Sequence, residues 1–129
     1  MWQYKKGATF ERQLFNKFWD AGWAAMRAAG SGDKKVPDIV AGNGEKLVII
    51  ECKTINSDTI YLKKDDIEKL VLFGLRIKAQ PLICVKFKSN PEVFYKIDDL
   101  QYTKNNCYKL SARNPENPVK GFLFDGMCS

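Results

Sequence analysis

Leu47-Val48-Ile49-Ile50-Glu51-Cys52-Lys53 is an apolar run that closes on two opposite charges. Four consecutive apolar residues bounded by charge read as a buried strand. Side chains alternate along a strand, so Glu51 and Lys53 share one face at its far end. Twelve residues separate Glu51 from Pro37-Asp38. Gly42-Asn43-Gly44 within that interval is a tight turn, so residues 37–41 and 47–53 form a hairpin. Two carboxylates from adjacent segments make a hard oxygen site suited to Mg2+, for which Mn2+ can substitute. A lysine beside them can orient or deprotonate a water, or neutralise charge on a phosphate under attack. These are the parts needed to cut a phosphodiester. The plainer alternative is a turn aspartate beside a surface ion pair worth little. Ionisable side chains grouped against an apolar strand favour the site.

Composition narrows the class. The 129 residues suit one domain, 1–129, with a sizeable core and no need of staples. Met1-Trp2-Gln3-Tyr4-Lys5-Lys6 has no apolar stretch after its charges, and no run approaches membrane-spanning length, so the expectation is a cytoplasmic protein without a membrane partner. The chain has no histidine, which excludes histidine-based acid–base and triad chemistry. Its four cysteines lack Cys-x-x-Cys spacing, which argues against structural zinc. Cys52 and Cys84 lie in apolar strands and read as buried free thiols; a Cys107–Cys128 bridge stays open. The net charge of +6 points to a polyanion, and its distribution says more. Lys5, Lys6, Arg12, Lys17, Arg27, Lys34 and Lys35 precede Asp38 against Glu11, Asp20 and Asp33 alone, so the basic excess adjoins the proposed site. Nucleic acid is the natural partner, since lysine and arginine contacts to phosphate supply most non-specific affinity.

Outward from the hairpin, residues 8–20 read as a helix stopped by Gly22, and 23–27 as a short strand. Residues 29–35 form a polar, glycine-rich loop. A second helix over 63–79 carries Ile67, Leu70, Val71, Gly74 and Leu75 on one stripe, with Asp65 and Asp66 in its first turn. Strands follow at 81–87 and 93–97, and beyond Leu100 the pattern weakens. The order α-β-β-β-α-β-β implies an α/β fold, a mixed sheet flanked by helices.

Two further features draw attention. At about 100° per residue, Phe10, Leu14, Phe15 and Phe18 define one arc of the first helix and Glu11 falls inside it. An inward-facing acid costs stability unless it meets a cation or hydrogen bonds; the simpler alternative is an acid favoured by the helix dipole. A third carboxylate approaching Asp38 and Glu51 is the preferred reading. Gly30-Ser31-Gly32, a few residues before Asp38, can let backbone approach a phosphate while the hydroxyl donates to it. The same three residues also suit any flexible loop.

Taken together, Lys6-Gly7, Phe10-Glu11-Arg12, Leu14, Ala21-Gly22-Trp23, Arg27, Gly30-Ser31-Gly32, Pro37-Asp38-Ile39-Val40-Ala41-Gly42 and Ile50-Glu51-Cys52-Lys53 resemble the archaeal Holliday junction resolvases. The resemblance covers roughly the first ninety residues and implies a restriction-endonuclease-like fold. It implies that Glu11, Asp38 and Glu51 bind or surround Mg2+ and that Lys53 stabilises the transition state or positions the water. Ser31 would be needed for cleavage, Arg12 and Arg27 would contact DNA, and no small-molecule cofactor is implied. Lys5, Lys6, Gly30, Gly32, Lys34 and Lys35 complete the expected DNA surface. Cys52 departs from the aliphatic residue usual in the family; its side chain should face inward. The family is homodimeric, with each site nicking one strand of a four-way junction. Phe73, Phe122 and Phe124, with Leu123, are the apolar supply for such an interface, or else complete the monomer's own core. Two other classes stay in play: a restriction-type nuclease acting on a mismatch, flap or specific duplex site, and a branched-DNA-binding module that does not cut.

Overall fold

The computed structural model describes residues 2–28, 36–88, 90–112 and 121–128, with backbone alone for 2–6 and 128. In chain order the elements are α1 (Trp2–Asp20), β1 (Ala24–Arg27), β2 (Ile39–Gly42), β3 (Leu47–Ile55), β4 (Thr59–Lys63), α2 (Lys64–Ile77), β5 (Gln80–Phe87) and β6 (Val93–Lys96). A 3-10 turn (Ile97–Asp99), β7 (Gln101–Tyr102), β8 (Cys107–Ser111) and α3 (Phe124–Cys128) follow.

A five-stranded sheet runs β1-β2-β3-β5-β6. Only β3 and β5 are parallel, joined by the crossover through β4 and α2. The other neighbours pair antiparallel. A second sheet, β4-β8-β7, is three-stranded and antiparallel throughout.

Strand alternation sorts the core into two layers. Val48, Ile50, Leu82, Cys84 and Phe94 meet Phe10, Leu14 and Phe18 of α1. Their sequence neighbours Ile49, Ile83, Val85 and Tyr95 turn the other way, onto Ile67 and Leu70 of α2 and Ile60, Leu62 and Leu110 of the small sheet. The central strand is therefore apolar on both faces for its first half, as a parallel-paired strand between two helical layers should be. Gly74 lets α2 lie close to the sheet: a Cβ there would sit 2.7 Å from the Ala79 carbonyl oxygen and 3.3 Å from Ile49 Cδ1.

Several expectations change. The first helix begins at Trp2 and runs through Gly7, whose missing side chain does not stop it. Leu75, placed on the buried stripe, is 72% exposed, because the stripe narrows to Ile67, Leu70 and Gly74. β4, β7, β8 and α3 lie where the sequence pattern predicts no element. The hairpin turn forms as expected: the Asn43 side-chain oxygen accepts the Glu45 and Lys46 backbone N–H groups at 2.9 and 2.7 Å.

Candidate active site

Pairing between β2 and β3 ends at Ile39 opposite Ile50. One step further in that register sets Asp38 against Glu51, the two carboxylates facing each other across the open end of the hairpin. Pro37 is buried and has no N–H with which to extend the ladder. The Asp38 side chain takes over there, its Oδ2 accepting the Cys52 backbone N–H at 2.8 Å. That bond fixes the carboxylate against the strand which carries Glu51. Lys53 lies two residues on and on the same face, its Nζ 3.5 Å from Glu51 Oε2.

The electrostatics of this group are strained. Burial pushes the Glu51 carboxyl up to about 7, with the Asp38 charge adding to the rise and Lys53 opposing it. Burial also raises Asp38, against the Cys52 hydrogen bond, Lys53, a hydrogen bond with Glu51, and Arg27. Two carboxylates this close do not both ionise without a cation. Glu11, half-buried on α1, is raised by burial and by Asp38 and lowered by Arg27 and Lys53. The inward-facing helical acid therefore lies within electrostatic reach of the hairpin site, as its angle on the helix suggested. Arg27 approaches from β1. Its guanidinium donates to the Ala8 carbonyl of α1 at 3.3 Å, and its Nε is buried without a hydrogen-bond partner among the described residues.

Among the described residues no three acidic or thiol groups close into a ready-made metal cage. Mg2+ does not require one, since it keeps several waters and takes one or two carboxylates plus phosphate oxygens. The donor set suits such an ion: two half-buried carboxylates, both raised above their ordinary range chiefly by burial. Cys52 turns its side chain into the α1-side core, and burial pushes its thiol well above the usual range. It is free, as are Cys84 and Cys107.

Other expected residues are spread more widely. Arg12 is exposed on α1. Gly30, Ser31, Gly32, Lys34 and Lys35 lie outside the described residues, as do the side chains of Lys5 and Lys6. Phe122 and Phe124 pack within the chain: Phe122 stacks on Phe94 at 5.6 Å and Phe124 meets Phe18 edge-on at 5.1 Å. Phe73 is half-buried against the α2-side core. Sequence reasoning missed Asp66, whose charge helps to raise Glu51, having taken it only as a first-turn helix acid. It also missed β4, which borders the site, although the alternation of Thr59-Ile60-Tyr61-Leu62-Lys63 was there to find.

The chain is similar to known proteins. The family model described as archaeal Holliday junction resolvase (Hjc) matches residues 2–120. The chain belongs to that family. The crossover junction endodeoxyribonuclease Hjc of Archaeoglobus fulgidus is 39% identical over 103 residues, 78% of this chain and 76% of the relative. The enzyme of the same name from Methanocaldococcus jannaschii is 35% identical over 111 residues, 86% of this chain and 80% of that one. The solved structure of Archaeoglobus fulgidus Hjc, a Holliday junction resolvase from an archaeal hyperthermophile, matches with a TM-score of 0.82 at 32% identity, covering 95% of each chain. The sheet and its flanking helices are thus the restriction-endonuclease-like α/β fold expected from the sequence.

Proposed function

We propose that Asp38, Glu51 and Lys53, with Glu11 beside them, carry the phosphodiester hydrolysis of this chain. The chain is a Holliday junction resolvase, a DNA endonuclease of recombination and repair, by its family. The observation that carries the residue assignment is the register that sets Asp38 opposite Glu51 at the hairpin's open end, with Lys53 beside Glu51. Asp38 and Glu51 would hold the family's divalent metal, Mg2+ or in its place Mn2+, which when bound supplies charge neutralisation and a more acidic water. Glu11 adds a third carboxylate to that shell or to its waters. Lys53, held by Glu51, orients the attacking water and offsets the charge that builds on the phosphate oxygens. Ser31 retains the role that resemblance to the family gives it, a hydroxyl needed for cleavage. Arg12, with Lys5, Lys6, Lys34 and Lys35, contacts the DNA backbone.

Resolution of a four-way junction needs two nicks on opposing strands, and one chain holds one such site. A two-fold homodimer supplies two and matches the junction's symmetry. Phe122 and Phe124 are largely taken up by the chain's own core, so the pairing surface is better sought in Leu72, Leu75 and Ile77 on the outer side of α2. The free thiols Cys52, Cys84 and Cys107 fit a reducing cytoplasm.

The test is a gel assay of four-way junction, flap, mismatch and linear duplex, each with Mg2+, with Mn2+ and with chelator. Paired symmetric nicks confined to the junction, and lost on chelation, are expected. Preferential cutting of flap or mismatch would replace the junction with that substrate. Sedimentation at micromolar concentration should give twice the chain mass; monomer alone, with and without junction DNA, would remove the two-site reading.

A further inference from the structure

The small sheet has two unlike faces. Ile60 and Leu62 of β4 and Leu110 of β8 are buried in the α2-side core. Strand alternation therefore turns Tyr61 and Lys63 of β4 and Lys109 of β8 the other way. Tyr61 pairs with Lys109 across the strands, and Gln101 of β7 flanks Lys109 on its other side. Tyr61 is 61% exposed, Lys63 and Gln101 are exposed, and Lys109 is half-buried. No acid occurs in β4, β7 or β8.

Lysines on a small exposed sheet ordinarily do no more than keep it solvated. Two observations set this face apart. Neighbouring lysines are neutralised locally, Lys64 by Glu68 at 3.6 Å and Lys88 by Asp58 at 3.5 Å. Lys63 and Lys109 form no ion pair among the described residues, although their diagonal placement sets them about 7–8 Å apart at the backbone. An anion with charges spaced along it would relieve that repulsion. The second observation is position. The inner side chains of β4, Ile60 and Leu62, line a cleft of about 220 Å³ beside Glu51 and Lys53, so the outer face begins one strand away from the reaction site. It also lies across the five-stranded sheet from α1, which carries Arg12.

We propose that the outer face of the small sheet, with Lys63, Lys109, Tyr61 and Gln101, holds the sugar–phosphate backbone of a junction arm. The proposal rests on the resolvase reading above. The lysines neutralise phosphates, and the tyrosine hydroxyl and glutamine amide donate to them. One ring between two lysines suits a paired arm better than unpaired bases, which need successive rings to stack on. DNA is then held on both sides of the reaction site, by the α1 residues and by the small sheet. A junction has arms leaving its branch in several directions and can fill both surfaces at once. A straight duplex follows one line and reaches only one of them. The second surface therefore adds to junction affinity and hardly at all to duplex affinity.

The experiment uses the full chain carrying Lys63→Gln and Lys109→Gln together, with gel shifts of a four-way junction and of a linear duplex over a range of salt, without divalent metal. The slope of log affinity against log salt should fall by about one for each lysine in contact on the junction. Junction affinity near 0.1 M salt should fall by about tenfold more than duplex affinity. The Lys63→Arg, Lys109→Arg protein should restore both. Melting temperature should not change, and junction cleavage at saturating enzyme should match wild type, because neither lysine meets the scissile phosphate. Equal losses on junction and duplex would show a general effect of net charge and overturn this proposal alone, as would unchanged junction binding. A halved mass in sedimentation would give the face to a second copy of the chain, also overturning it. A wild-type chain that binds junction no better than duplex would overturn the resolvase reading and this proposal together.

Discussion

The β2–β3 hairpin has two ends built on opposite terms. At the turn, Asn43 closes the chain with its own side chain, and residues 43–47 are exposed to water. The polar groups there are cheaply satisfied, by Asn43 or by water. At the open end pairing stops at Ile39 opposite Ile50, and two carboxylates and a lysine are half-buried against the core, with the Glu51 carboxyl raised to about 7 by burial and by Asp38. The first arrangement lowers the free energy of the fold. The second raises it in the metal-free chain, and that cost is what a cation would relieve. Changes at the open end should therefore affect chemistry far more than folding, and changes at the turn the reverse.

The largest effect should come from Glu51→Gln and Asp38→Asn. Each removes a ligand charge and leaves the shape nearly intact, and the asparagine oxygen can still accept the Cys52 N–H. Junction cleavage in Mg2+ should fall by at least about a hundredfold, while gel shift shows binding held or tightened as carboxylate–phosphate repulsion falls. Robust cutting by either variant would break the contrast and the site assignment together.

A subtler division separates two arginines near this end. Arg12 is exposed, so Arg12→Ala should leave melting unchanged and lower the slope of log affinity against log salt by about one. Arg27 ties β1 to the Ala8 carbonyl and faces Glu11, so Arg27→Ala should cost about 1–2 kcal/mol of stability in denaturant titrations. A pure salt-slope effect from Arg27→Ala would make it a phosphate contact instead.

The pH response sharpens the contrast further. Glu51 has its carboxyl raised from 4.5 to about 7 in the folded chain, so the native state binds more protons than the unfolded state between those values. Its contribution to stability is present below about 4.5 and is lost as the pH rises through about 7. The metal-free protein should therefore melt several degrees lower at pH 8 than a shift from Glu51→Gln allows: the variant should show a flatter profile and a higher melting temperature at pH 8. Binding of Mg2+ should cancel the wild-type loss and release protons near neutrality. A wild-type profile as flat as that of Glu51→Gln would mean that Glu51 is neither desolvated by burial nor in the field of Asp38.

How much of this was legible follows from where the signal was local. Residues 47–53 announced the central strand because apolar run, turn and charge all lie within a few positions, and Asp38 and Glu51 followed from the same hairpin. Glu11 was legible from helical angle. The small sheet was not: β7 has only Gln101 and Tyr102, and β8 reads Cys107-Tyr108-Lys109-Leu110-Ser111 with Leu110 its one buried apolar side chain. Such strands exist because β4 offers an edge to pair with, a long-range cause that no local pattern records. Phe122 and Phe124 were equally ambiguous, since a ring that closes a core and a ring that meets a partner look alike in sequence. The stack of Phe122 on Phe94 and the edge-on contact of Phe124 with Phe18 separate the two.

The smallest effect lies at the turn. Asn43 accepts two backbone N–H groups, at 2.9 Å from Glu45 and 2.7 Å from Lys46, and its own N–H donates to the Lys46 carbonyl at 3.1 Å. Asn43→Ala removes the side-chain acceptor, but both donors are exposed and water replaces it. The loss should be about 1 kcal/mol, a few degrees in a thermal melt. Pairing of β2 with β3 should survive, because Ile39, Ala41, Val48 and Ile50 hold its register from within the core. Asp38 and Glu51 then stay opposed, and junction cleavage at a temperature well below the melt should match wild type. A cleavage loss larger than the stability loss would mean that the turn transmits register to the site, and that the two ends of the hairpin are not independent.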